Sequence, residues 1–308
     1  MTSNDCAVRG ADDARWRTDA AVAAEIDAAL IDLDWSRLPD GAVRCDFDAP
    51  SGLLATFSLG DPTHPRVVLV PGATGSKEDF ILLAPLLAAA GYFVQSYDLA
   101  GQYESAAAGP SARSEGRYDY ELFVADMIAF LEAGAPAHLL GYSFAGIVAQ
   151  LVLAKRPGLI LSLTLLTTPP LAGESFRGVR WIGPFSALVA ARTIASLMIW
   201  GIVTNKNRVQ PQRLAFVQKR FALTDRRSVD DIMRLMKRAP DLRANLRMAK
   251  IPILVVVGSH DLWPLRLHAR FAEQIGARIA VYKTGHSPCE TAPHQLAADM
   301  LRLFERSG

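Results

Sequence analysis

The fold is decided by one stretch, Ala137-His138-Leu139-Leu140-Gly141-Tyr142-Ser143-Phe144-Ala145-Gly146-Ile147-Val148. Its first four residues read as a short buried strand. Phe144–Lys155 then reads as a helix with an almost wholly apolar front, closed by Pro157-Gly158. Between them Ser143 sits on a turn that passes from strand to helix without a loop. Glycine two residues before it and alanine two residues after let the two elements approach closely. A hydroxyl carried on so sharp a turn stands clear of the backbone. The plainer reading is a glycine-rich turn whose serine caps the helix.

Working outward from that turn, the same strand-then-helix pattern repeats. Arg66–Val70, Tyr92–Tyr97 and Leu159–Thr167 read as strands, mostly apolar and punctuated by Gly or Pro, and Ile253–Val257 and Arg278–Tyr282 repeat the signature later. Helices are expected over Asp79–Ala90, Tyr120–Ala133, about 265–275 and 293–306. Two extended runs, Ala42–Phe47 and Leu53–Leu59, flank a turn at 49–52. Continuous rather than alternating apolar strands indicate a sheet covered on both faces, the mark of a parallel α/β sheet sandwiched by helices. From Pro170 to Lys250 the strand pattern stops. Helical stretches take over at Ala187–Ile202, Gln210–Phe221, Ser228–Lys237 and Leu242–Met248. This reads as a helical insertion after the sixth strand, overhanging the strand ends where open α/β sheets bind ligands. The expected division is a helical N-terminal extension over 1–41, a core over 42–170 and 247–308, and a cap over 171–246.

Composition narrows the function. The 308 residues are half apolar and 21% charged, and Lys+Arg 33 against Asp+Glu 31 leaves a net charge of +2. No basic stripe marks a nucleic-acid binder. Three scattered cysteines, Cys6, Cys45 and Cys289, make neither a disulfide framework nor a four-ligand zinc site. No His/Cys/Asp cluster has metal spacing, and no Gly-x-Gly-x-x-Gly follows the first strand, so neither a metal nor a nucleotide cofactor is expected. The polar N-terminus lacks an apolar signal core, which makes a cytoplasmic location the expectation. Trp181–Val203 is nearly all apolar but carries Arg192 near its middle. A central arginine disfavours a membrane span and favours a helix over an oily cavity, with room for weak contact with a membrane surface.

Two further segments lie just past strands. Val257-Gly258-Ser259-His260-Asp261-Leu262-Trp263-Pro264 offers a carboxylate, and Lys283-Thr284-Gly285-His286-Ser287-Pro288 offers an imidazole. Serine needs a base to become a nucleophile, and the base needs a carboxylate to fix its tautomer. Ser143, Asp261 and His286 therefore form an ordered candidate set. His260, next to Asp261, is the rival base. His64, His138, His268 and His294 read as structural or exposed, and Asp98 as a turn cap. The small-residue loop Pro71-Gly72-Ala73-Thr74-Gly75-Ser76 could aim the Ala73 amide at the same place as the Phe144 amide, giving a pocket for an oxyanion.

With Gly141-Tyr142-Ser143-Phe144-Ala145, Gly258…Asp261…Pro264, Gly285-His286, Pro71-Gly72-Ala73 and Tyr97-Asp98-Leu99-Ala100-Gly101 together, the chain resembles the α/β-hydrolase superfamily over roughly residues 42–308. The resemblance implies a mostly parallel eight-stranded sheet with a helical cap, Ser143 as nucleophile, His286 as base and Asp261 as orienting acid. Ala145 stands where the family usually has a second glycine, and Pro71 where it commonly has histidine. The expected activity is cleavage of an ester, thioester or lactone of an apolar acyl or aromatic small molecule. The same three residues would also serve acyl transfer or cofactor-free perhydrolysis, and fold alone leaves room for a non-catalytic ligand-binding member.

Overall fold

The computed structural model describes residues 20–110, 116–179, 193 and 210–307. Eight strands form one sheet: β1 (Val43–Ala49), β2 (Gly52–Leu59), β3 (Arg66–Val70), β4 (Phe93–Tyr97), β5 (Ala137–Tyr142), β6 (Ile160–Leu166), β7 (Ile253–Gly258) and β8 (Arg278–Tyr282). Their order is β1-β2-β4-β3-β5-β6-β7-β8. β2 pairs antiparallel with both neighbours and all other pairs are parallel, so β2 alone runs against the rest. Every position of β3, β5 and β7 is buried, which is why these strands read as unbroken apolar runs. β1 lies at the edge, mostly exposed, and carries Arg44, Asp46 and Asp48, charges that keep an open edge from pairing with another chain.

Helices cover both faces. Residues 20–28 (α1) are helical, followed by α2 (Leu83–Ala89), α3 (Tyr120–Glu132), α4 (Phe144–Lys155), α5 (Pro211–Leu223), α6 (Arg226–Met236), α7 (Arg243–Met248), α8 (Leu265–Ile275), α9 (Pro288–Thr291) and α10 (Pro293–Phe304). Phe123, Met127, Ile147, Val148, Ile232 and Phe271 pack one face of the sheet. Leu83, Leu87, Leu296 and Met300 pack the other. The expected helix over Asp79–Ala90 is in fact broken: a 3₁₀ turn occupies Lys77–Phe80 and α2 starts only at Leu83. Pro85 explains the break. It has no N–H to give back to Ile81, and its ring clashes with that carbonyl, so it is tolerated only in a helix's first turn.

The chain leaves the sheet at Leu166 and returns at Ile253, with α5, α6 and α7 in between. The apolar stretch Trp181–Val203 and the helix expected at Ala187–Ile202 lie outside the described residues, Thr193 apart. Among the described residues no helix is long and apolar enough to cross a membrane.

α5 is fastened to the body by buried ion pairs. Arg213 and Arg220 both reach Asp79, at 2.8 and 2.6 Å, and Arg213 also pairs with Glu290. The Arg213 guanidinium lies over the Trp35 ring, 4.4 Å from its centre. Asp27, in α1, accepts the amides of His294 and Gln295 at the start of α10 (3.0 and 3.1 Å), capping that helix from far away in sequence.

Candidate active site

Ser143 follows the last residue of β5 and precedes the first of α4, with φ 51° and ψ −115°. That backbone is costly for any residue but glycine, about 1–3 kcal/mol, and persists only because its surroundings enforce it. Its amide donates to the Leu166 carbonyl (2.8 Å), and its carbonyl accepts from Gly146 (3.0 Å). The tightness of the turn falls on two glycines. A Cβ on Gly141 would come within 2.7 Å of the Ala145 carbonyl oxygen, and one on Gly146 within 1.9 Å of Thr168 Oγ1. Ala145 can therefore stand where a second glycine was expected, because the close approach is made by Gly146 one residue later.

Three strand ends bring the candidate groups together. Ser143 Oγ lies 3.1 Å from His286 Nε2, and His286 Nδ1 lies 2.5 Å from Asp261 Oδ1. Asp261 is buried, and burial by itself pushes its carboxyl up. The His286 charge and hydrogen bonds from His268 and His286 outweigh that and hold it down at about 2. Asp261 is thus a carboxylate, which only accepts, so Nδ1 of His286 carries a proton, and in the neutral ring Nε2 faces Ser143 with a lone pair. The two loops are laced together. His260 donates its amide to Thr284 O (3.0 Å), Ser259 donates to Tyr282 O (2.7 Å), and Thr167 Oγ1 donates to His286 O (3.0 Å). A Cβ on Gly258 would lie 2.0 Å from Gly285 O, so only glycine lets the histidine loop rest on the end of β7. The rings of Trp263 and Tyr142 stand 6.0 and 5.6 Å from that of His286 and wall it with apolar surface.

His260, the rival base, is exposed and its Nδ1 meets Ser259 Oγ instead. His268 is structural rather than exposed: wholly buried, it sets Nε2 2.7 Å from Asp261 Oδ2, so one carboxylate serves two histidines. By the same donor accounting Nε2 of His268 carries its proton, and its Nδ1 is buried without a partner. The signal was in the helix period. His268, Phe271, Ala272 and Ile275 form the buried stripe of α8, and the histidine begins it.

The small-residue loop lies over the serine. A Cβ on Gly72 would come within 3.0 Å of Ser143 Cβ. Residues 72–75 form a turn closed by Gly75 N–H donating to Gly72 O (3.0 Å), and the Thr74 amide donates to Gln102 Oε1 (2.9 Å). Ala73 occupies the turn's second position. The Phe144 amide is the first of α4 and so has no acceptor within its helix. Asp98 caps the next turn, accepting the Lys77 amide at 2.7 Å while its carboxylate meets Lys77 Nζ at 3.1 Å. Glu290 is the partner of Arg213, and Cys289 is a buried free thiol.

Comparison with known proteins agrees with this architecture. The signature of the Alpha/beta hydrolase family matches residues 67–299. A hydrolase from Pseudomonas aeruginosa PA01 superposes with a TM-score of 0.68 at 22% identity, covering 85% of this chain and 98% of that one. The enol-lactonase from Burkholderia xenovorans LB400 gives 0.66 at 20% identity, covering 84% and 100%. A thioesterase domain from the curacin biosynthetic pathway gives 0.64 at 19%, covering 85% and 100%. At such identities the likeness speaks for the fold. No curated protein matches the sequence.

Proposed function

Since the chain belongs to the alpha/beta hydrolase family, we propose that it is a serine hydrolase that cleaves an ester, thioester or lactone of a mainly apolar small molecule. One observation carries the reading: the unbroken hydrogen-bonded line from Ser143 Oγ through both nitrogens of His286 to Asp261. In the mechanism, His286 Nε2 takes the Ser143 proton as Oγ attacks the substrate carbonyl. Asp261 stabilises the imidazolium formed and keeps the ring's tautomer. The amides of Ala73 and Phe144 receive the tetrahedral oxyanion, in a site where fixed donors are worth far more than in water. His286 then returns its proton to the leaving group, and the acyl-Ser143 ester is released by water activated on the same nitrogen. The apolar preference is supported by Trp263 and Tyr142 beside His286 and by the composition of Trp181–Trp200.

The test is a fluorophosphonate probe together with p-nitrophenyl ester turnover. Wild-type protein should label and turn over. Ser143→Ala should lose labelling, and kcat should fall about a million-fold, the scale on which removing a triad nucleophile acts. Labelling that survives Ser143→Ala would refute the assignment of the nucleophile.

A further inference from the structure

Gln102 is a fully buried polar side chain that this mechanism leaves without a task. Its two ends go to different parts of the molecule. Oε1 accepts the amide of Thr74, in the turn that carries Ala73, and Nε2 donates to Ser228 Oγ at 2.6 Å, in the first turn of α6. Ser228 is itself fully buried and its hydroxyl donates to the Ala100 carbonyl (3.1 Å). Around this link the loop after β4 and the entry to α6 are stitched tightly. Asp225 donates its amide to Gly101 O (2.8 Å), and the Tyr103 amide donates to Thr224 Oγ1 (3.0 Å). A Cβ on Gly101, where φ is +77°, would sit 2.5 Å from Ser228 Cβ, so nothing larger than glycine lets α6 come this close.

The turn at 72–75 shows why the Gln102 bond matters. Thr74 occupies its third position with φ 62°, the left-handed region that a β-branched residue avoids. Rotating the Ala73–Thr74 peptide by half a turn would return Thr74 to negative φ and exchange the places of the Thr74 N–H and the Ala73 C=O. That flip separates the common turn types from one another. In the observed arrangement the N–H points at Gln102 Oε1. After a flip the carbonyl would point there instead, oxygen against oxygen. Gln102 therefore selects the less favoured orientation of that peptide; the Ala73 N–H belongs to the preceding peptide, and Gln102 holds it by fixing the turn that both peptides share.

We propose that Gln102 is a positioning residue that fixes the oxyanion turn through Thr74 and ties that turn's geometry to α6 through Ser228, so that oxyanion stabilisation depends on how the inserted helices are seated. The inference rests on the serine-hydrolase reading. Because the oxyanion exists only beyond the ground state, a loosened Ala73 amide lowers kcat and spares KM.

The experiment uses full-length protein, a p-nitrophenyl ester, and a trifluoromethyl ketone that forms a tetrahedral adduct on serine. Gln102→Met should lower kcat about 10- to 100-fold, less than or up to the loss of one oxyanion donor. KM should stay within about threefold of wild type, and the ketone should bind more weakly by about the same factor as kcat falls, since it mimics the transition state. Ser228→Ala keeps the Thr74 bond but removes the α6 end, and should show a smaller loss of kcat and ketone affinity in the same ratio. It carries the test alone if Gln102→Met does not fold. A folded Gln102→Met with wild-type kcat and ketone affinity overturns the inference while leaving the serine-hydrolase reading intact. So does a variant whose KM rises while kcat stays, or, where only Ser228→Ala folds, wild-type behaviour in that variant. Wild-type protein that neither turns over ester nor takes a fluorophosphonate overturns both.

Discussion

Asp261 and Asp79 are two buried carboxylates that each receive two cationic or cation-forming partners, and the partners make them different devices. Asp261 sits between His286 and His268, and Asp79 between Arg213 and Arg220. Both are held below the ordinary carboxylate range against the push of burial, Asp79 by Arg220 first and Arg213 next, Asp261 by His286 and then His268. Arginine does not release its proton in proteins, so the cations at Asp79 are permanent and can only hold parts together. Imidazole gains and loses a proton near neutrality, so the charge on Asp261 can meet a cation that comes and goes. The same acid, equally buried, fastens α5 to the body in one place and, in the proposed mechanism, serves proton transfer in the other.

Substitutions can separate the two. The largest expected effect is at Asp261. Asp261→Asn should lower kcat for ester hydrolysis about 10,000-fold by favouring the wrong tautomer of His286. A kcat within tenfold of wild type would place Asp261 with Asp79 as a fastener. Asp79→Asn should do the reverse, costing about 3–5 kcal/mol in urea unfolding because Arg220 is left buried without a carboxylate and Arg213 keeps only Glu290, while the folded enzyme keeps most of its kcat. The acid limb of that stability follows from the sign of the shift. A carboxyl lowered on folding contributes stability that is present above its ordinary value of 3.8 and is lost as pH falls further. Unfolding profiles of Asp79→Asn should therefore be flatter than wild type below about pH 4. A stable Asp79→Asn with lost turnover would instead move Asp79 into the chemistry. The smallest effect tests the second histidine. His268→Phe removes one charge-assisted hydrogen bond to Asp261, about 1.5 kcal/mol, and should lower kcat about tenfold with little change in KM. An unchanged kcat would leave His268 a packing residue.

Sheet and serine turn were legible because they rest on local signals. Continuous apolar runs stopped by Gly or Pro mark strands buried on both faces, and β3, β5 and β7 are buried at every position. Ser143, Asp261 and His286 could be singled out because each follows a strand, and parallel strands bring their C-terminal ends to one rim. Other features depend on contacts far apart in sequence and leave no local trace. Gln102 looks like any loop residue until Thr74 and Ser228 are placed beside it. Asp79 gives no hint of two arginines that arrive more than 130 positions later. Gly146 makes the close contact with Thr168, and nothing local in the sequence marks that contact. His268 lay between these cases, its buried stripe visible and its partner not.

Asp27 sits 40 positions upstream of the span that the family signature matches, yet it caps α10, which begins inside that span. Trp35, also upstream, roofs the guanidinium that pins α5. The matched span and the cooperative unit are therefore not the same object. A fragment trimmed to residues 67–299 would begin after β1 and β2 and would expose the amides at the start of α10 and the face of Arg213. Domain boundaries for expression or grafting are better drawn from the reach of Asp27 and Trp35 than from the matched span.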